Sequence, residues 1–196
     1  AMSTVIPQWD MHGVLPSMIG FGDNAVRSPY RVSLPDVIHR FGNYSTRTTI
    51  LDGFLNFRAR LHAIGLTKGY QWLDGSFVED TELLLNRQPG DIDVVTFYKE
   101  PTGTTQSSLL SAHPDIFGFN ADTVKERINT FKVDSYMFSL NGDPSYLHEQ
   151  TCLWHDTWSK RRNDVRKGYV SIDLDPKDDE EAKALVQDLK NKYGLP

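Results

Sequence analysis

Cysteine is all but missing: Cys152 stands alone, which excludes an intramolecular disulfide and fits a reducing compartment. Long apolar runs are missing as well, none approaching the roughly 20 residues that span a bilayer, so no membrane partner is expected. Positive charge is in deficit, with a formal net charge of −5. That deficit argues against nucleic-acid binding by the whole surface and leaves room only for a local basic patch. No basic region followed by an apolar one opens the chain, so no secretion signal is expected and the cytoplasm is the default location. Internal repeats, low-complexity tracts and a Walker-type phosphate loop are also absent from the sequence. What 196 residues do provide is enough chain for one domain with a substantial core.

Residues 1–35 hold several glycines and prolines with little periodicity and read as an irregular arm laid over a domain of residues 36–196. Ala1, ahead of Met2, is set aside as an expression remnant. Ser33-Leu-Pro-Asp36 starts a short helix that Gly42 stops. A longer helix follows, capped by Ser45, with Ile50, Phe54, Phe57 and Leu61 at helical spacing and Gly65 at its end. Its arginines Arg47, Arg58 and Arg60 read as surface groups unless one of them meets a substrate. Strands over Tyr70–Leu73 and Ile92–Phe97 flank a short helix between Val78 and Leu85, in which Leu83, Leu84 and Leu85 need a place to bury. Helices are expected over Gln106–Ala112 and Ala121–Ile128, the second capped by Asn120, and then a strand over Phe131–Leu140. Asp143-Pro144 opens a helix whose buried stripe is Leu147, Thr151, Trp154 and Trp158. A fourth strand runs from Gly168 to Leu174, and a last helix from Asp175-Pro176 to Gly194. The acids Asp178, Asp179, Glu180 and Glu181 suit the positive end of that helix and carry no chemistry. These elements make an α/β fold, with a small mixed central sheet and flanking helices.

The chemistry concentrates between Gly69 and Phe97. Residues i and i+2 of a strand share a face, so Asp91 and Asp93 point the same way while Ile92 and Val94 point into a core. Two adjacent carboxylates repel, and a divalent cation removes that cost; oxygen ligands of this kind suit Mg²⁺. Gly75 permits a tight turn and a close backbone approach, and Ser76 offers a hydroxyl and an N–H where a phosphate can sit. Asp-x-Asp or Gly-Ser alone is common; their succession from strand to corner to next strand is much rarer. Asp134, at the centre of the Phe131–Leu140 strand, is costly to bury without a partner. It is either exposed or paired on an edge strand, or the third acid of one site. His148, Cys152 and His155 share a helix face, but a fourth zinc ligand is not evident. Lys160, Arg161 and Arg162, with Arg166 and Lys167, form either a solvated helix end or an anion-binding patch.

Gly75-Ser76, Asp91-x-Asp93 and the later strand Asp134 together resemble the signature of the nucleotidyltransferase superfamily typified by DNA polymerase beta. More closely, the chain resembles an uncharacterised bacterial family of nucleotidyltransferase-like proteins. The matching stretches are His12-Gly-Val-Leu-Pro16, the Arg47–Leu61 helix, Trp72-Leu-Asp-Gly-Ser-Phe-Val78, Asp91-Ile-Asp-Val-Val95 and Lys167-Gly-Tyr-Val170. The resemblance implies a nucleotidyltransferase-like fold that moves an NMP from an NTP to an acceptor hydroxyl and releases pyrophosphate. It implies Mg²⁺ (or Mn²⁺) held by Asp91, Asp93 and Asp134, with Asp134 helping to activate the acceptor. Gly75 and Ser76 would hold the triphosphate, and Lys167 or Arg162 would neutralise it. The acceptor stays open among a small molecule, a protein side chain and an RNA end. Small proteins of this superfamily also serve as weakly active or inactive partners in toxin–antitoxin or phage-defence systems, so a protein partner from a neighbouring gene is the alternative expectation. Two departures stand out. The stretch between Ser76 and Asp91 is longer than usual, and Asp74 occupies a position where an apolar residue is common.

Overall fold

The computed structural model describes residues 5–196; the first four residues of the expected arm lie outside the described range. The elements run β1 (Met18–Ile19), β2 (Val26–Arg27), β3 (Tyr30–Arg31), α1 (Leu34–Phe41), α2 (Ser45–Ala63), β4 (Gly69–Asp74), α3 (Thr81–Leu85) and β5 (Ile92–Tyr98). They continue with α4 (Gln106–Ala112), α5 (Pro114–Phe117), α6 (Ala121–Phe131), β6 (Val133–Ser139), α7 (Pro144–Trp158), β7 (Val170–Asp173) and α8 (Asp179–Tyr193). β1 and β2 form a small hairpin sheet, and the main sheet has the order β3-β7-β4-β5-β6. β4 pairs antiparallel with β5 and β7, while β5 pairs parallel with β6. This is the expected mixed α/β architecture.

Local chemistry explains most boundaries. Ser33 and Asp36 cap α1 reciprocally, and Gly42 closes it; Asn120 caps α6 and Asp143 caps α7 through their side chains. Gly194 ends α8 in the left-handed conformation that suits glycine. Alternation then divides the sheet into two faces. Leu73, Ile92, Val94, Tyr98, Val133 and Ile172 join the main core with residues of α1, α2 and α8. On the opposite face Trp72, Val95, Phe97 and Tyr169 form a second, aromatic cluster beneath Trp154 and Trp158 of α7.

Three expectations change. The stretch ahead of residue 36 does more than lie over the domain: β3 joins the main sheet beside β7, and Ile6, Leu15, Tyr30 and Val32 are core residues. Arg47 and Arg58 are buried rather than on the surface. All five Arg58 N–H groups find acceptors, on Asp179, Gln71 and the carbonyls of Asp173 and Asp175. Asp179, expected only as a helix-end acid, is therefore the carboxylate that holds this buried guanidinium, 2.6 Å away. Finally, α3 leaves Leu83, Leu84 and Leu85 exposed, at 75%, 50% and 50%, because a helix this short turns its one buried residue, Thr81, inward.

Removing one partner of a buried ion pair strands the other charge. Asp179→Ala is therefore expected to lower stability by about 3–5 kcal/mol, read as a lower urea midpoint. A loss below about 0.5 kcal/mol, the range of an ordinary surface substitution, would contradict this account of the pair.

Candidate functional site

The sheet register assembles the site. Asp74 faces Asp93 across β4 and β5, and Asp93 faces Asp134 across β5 and β6. Three carboxylates thus stand on one rung of adjacent strands, spaced by roughly 4.8 Å per strand. Asp91, two residues before Asp93, shares its face. The next rung of that face is Trp72, Val95 and Tyr136, so the acids border the aromatic cluster, and burial makes their repulsion stronger. Burial pushes the Asp93 carboxyl up to about 6, with Asp134 and Asp91 adding to the effect. Burial and then Asp134 also raise Asp91. The Tyr136 hydroxyl donates to Asp134 Oδ2 at 3.4 Å.

Immediately after β4 the chain turns at Gly75, with φ +80°, a region side-chain-bearing residues avoid. A Cβ built on Gly75 would come within 2.0 Å of Asp93 Oδ2, so only glycine lets this corner sit against the acids. Ser76 begins a single 3₁₀ turn. Arg47 pins that turn from below: it donates to the carbonyls of Phe77 and Glu79 and pairs with Glu82. Trp9 adds a hydrogen bond from Nε1 to the Val78 carbonyl at 2.8 Å.

Opposite the corner lies the segment joining α7 to β7. Buried Lys167 places its Nζ 2.9 Å from Asp74 Oδ1 and 2.9 Å from Glu79 Oε1. The contact with Asp74 is an ion pair off the direction of a hydrogen bond, since Oδ1 has no directed donor. The same holds for Arg161 Nη2, 2.7 Å from Glu79 Oε2, whereas Arg161 Nε does donate to Glu79 Oε2 at 2.9 Å. Burial raises Asp74 to about 7 against the opposing pull of Lys167. Burial alone would lower Lys167, but Asp74 and Glu79 outweigh it and hold the ammonium above the usual lysine range. For Glu79, burial is overcome by the Arg161 hydrogen bond and the Lys167 charge, and its pKa falls.

A cleft of about 620 Å³ opens over this arrangement, lined by Gly75, Ser76, Asp93, Arg87, Arg162 and Lys167 among others. The register thus brings together Asp91, Asp93 and Asp134, and the cleft brings Gly75, Ser76, Arg162 and Lys167 to them. Lys167 differs from expectation, because its charge is committed to two carboxylates. Arg162 and Arg87 line the cleft, and among the described residues neither has an ion-pair or side-chain hydrogen-bond partner. Sequence reasoning missed Glu79 and Arg87, placed Arg161 in the basic cluster without its partner Glu79, and noted Asp74 only as a departure; an Asp one residue before a Gly-Ser corner was the one available signal. His148, Cys152 and His155 lie on α7, where His155 Nδ1 meets the Tyr169 hydroxyl at 2.7 Å.

The model of a family of unknown function (DUF6932) matches residues 7–173. The chain belongs to that family. All the site residues named above fall within the DUF6932 match, whereas α8, with Asp179, follows it. No curated protein and no solved structure matches the chain.

The donor set fits a hard divalent cation: the acids offer oxygen ligands only, on one rung, beside a corner that a Cβ would fill. Among the described residues no three His, Cys, Asp or Glu side chains already stand at ligand geometry, so the fit rests on donor chemistry and register.

Because the Asp93 pKa is raised on folding, the folded chain binds more protons than the unfolded one, and stability falls as pH rises through the folded value. In chelator, the melting temperature is expected to drop between about pH 5 and about pH 7.5. Asp93→Asn should reduce that drop, leaving the part that belongs to the raised Asp74 carboxyl, and stabilise the protein at the upper pH by on the order of 1–2 kcal/mol, with screening allowed for. Equal destabilisation at both pH values would show that the carboxylate is not under repulsion.

Proposed function

We propose that this protein is a divalent-cation-dependent nucleotidyltransferase. The observation that carries the reading is the register of Asp93 with Asp134 on parallel neighbouring strands, with Asp91 on the same face and the Gly75 corner against Asp93. In the reaction an acceptor hydroxyl attacks the α-phosphorus of an NTP, an oxygen–phosphorus bond forms, and the bond to the β-phosphate oxygen breaks to release pyrophosphate. Bound Mg²⁺ (or Mn²⁺), held by Asp91, Asp93 and Asp134, would supply charge stabilisation to the phosphoryl oxygens. The Gly75-Ser76 corner receives the triphosphate, and Arg162 and Arg87, both in the lining of the cleft, neutralise it. Asp134, nearest the edge of the sheet, accepts the proton of the acceptor hydroxyl. Lys167 acts by position: tied to Asp74 and Glu79 on either side of the corner, it holds the turn in place. The acceptor remains one of three classes, namely a small molecule, a protein side chain or an RNA end.

A second reading, a catalytically weak partner of another protein, is favoured by one observation. Leu83, Leu84 and Leu85 form an exposed apolar ridge, and Leu85 reaches the lip of the cleft. Such a ridge suits a protein contact.

Asp91→Asn combined with Asp93→Asn is expected to lower Mg²⁺-dependent pyrophosphate release from NTPs by about 10²-fold or more. It should also remove any rise in melting temperature that Mg²⁺ with an NTP produces in the wild type. Equal pyrophosphate release by variant and wild type would rule out the assignment. Absence of both release and nucleotide-dependent stabilisation in the wild type would favour the partner reading.

A further inference from the structure

Most arginines of this chain are committed. Arg31, Arg47, Arg58, Arg60 and Arg161 pair with carboxylates; Arg127 donates to main-chain carbonyls, and Arg40 lies 3.9 Å over the Trp9 ring. Among the described residues, Arg27, Arg87, Arg162 and Arg166 have neither a carboxylate nor a carbonyl partner; Arg27 contacts only Met18 Sδ, at 3.0 Å. These uncommitted groups sort into two cavities. Arg87 and Arg162 line the cleft described above. Arg27 and Arg166 line a second cavity of about 650 Å³. Lys160 belongs to the lining of both.

The partition between them is a hairpin. Lys160 and Arg166 form an antiparallel bridge, Arg161 N donates to the Val165 carbonyl at 2.9 Å, and Asp164 turns the tip with φ +63°. Arg166 reaches the second cavity from this hairpin, while Arg27 reaches it from β2. Lys160 is paired with Asp156 at 3.1 Å. Ser17 and His155 add polar groups.

We infer that this second cavity is a binding site for a small phosphate-bearing molecule. Two solvent-exposed guanidinium groups from separate elements line this cavity with no carboxylate or carbonyl partner among the described residues, and each offers an N–H fork of the kind that holds phosphate oxygens. The volume of about 650 Å³ lies within the roughly 300–1,000 Å³ of small-molecule pockets. This inference does not depend on the nucleotidyl-transfer reading, because it uses neither the acids nor the Gly75 corner.

The test is calorimetric titration of the chelator-treated protein with inorganic phosphate and with adenosine monophosphate, at fixed ionic strength. The wild type is compared with the Arg27→Gln/Arg166→Gln and Arg87→Gln/Arg162→Gln variants. Saturable binding is expected, weakened about tenfold or more by the first pair and retained by the second. Arg27→Lys, which keeps the charge and loses the fork, is expected to fall between them and serves should the double variant not fold. Equal affinity in wild type and the Arg27/Arg166 variant, loss only in the cleft variant, or no saturable binding would overturn the proposal. Tighter binding of a short RNA oligonucleotide than of the mononucleotide would overturn it as well.

Discussion

Carboxylate repulsion on one rung of the sheet is the constraint around which the site is built. Asp74, Asp93 and Asp134 occupy facing positions on three adjacent strands, and Asp91 adds a fourth negative group on the same face. Lys167 offsets part of this charge from one end, through Asp74 and Glu79. At the other end Tyr136 donates to Asp134. Between them, burial first and the neighbouring Asp134 and Asp91 second hold the Asp93 carboxyl above its ordinary range. Acids placed together, with a glycine at a corner where a Cβ would meet Asp93, are what the proposed cation and phosphate site rests on.

The surrounding architecture separates stability from chemistry. The apolar face of the sheet carries the main core against α1, α2 and α8, while the aromatic face under α7 borders the acids. Buried arginines serve as fasteners. Arg58 locks β4, the end of β7 and the chain just after it to α8, and Arg47 fixes the turn that follows Gly75. Each is worth retaining because its donors are satisfied; a buried guanidinium lacking acceptors would be costly.

Local features of the sequence proved legible, and long-range pairings did not. Alternation put Asp91 and Asp93 on one face, and caps at Ser33, Asn120 and Asp143 marked helix starts that the structure reproduces. The junction of Asp93 with Asp134 depends on β6 lying beside β5 in register, which no local pattern encodes. Arg58 shows the same limit: its acid lies on α8, so nothing near it in the chain distinguishes it from the surface arginine Arg60. Leu83, Leu84 and Leu85 mislead in the opposite sense, since apolarity alone suggested burial and the helix that carries them is too short to reach the core. β3 was invisible because two residues between turns carry no periodicity.

The central claim is that the acid rung holds a divalent cation. Its most direct measurement is the anomalous scattering of Mn²⁺ in crystals of the protein soaked with the metal. An anomalous peak among Asp91, Asp93 and Asp134, lost in Asp93→Asn crystals, is the predicted result. An ordered rung with no peak at saturating Mn²⁺, or a peak elsewhere on the surface, would contradict the account.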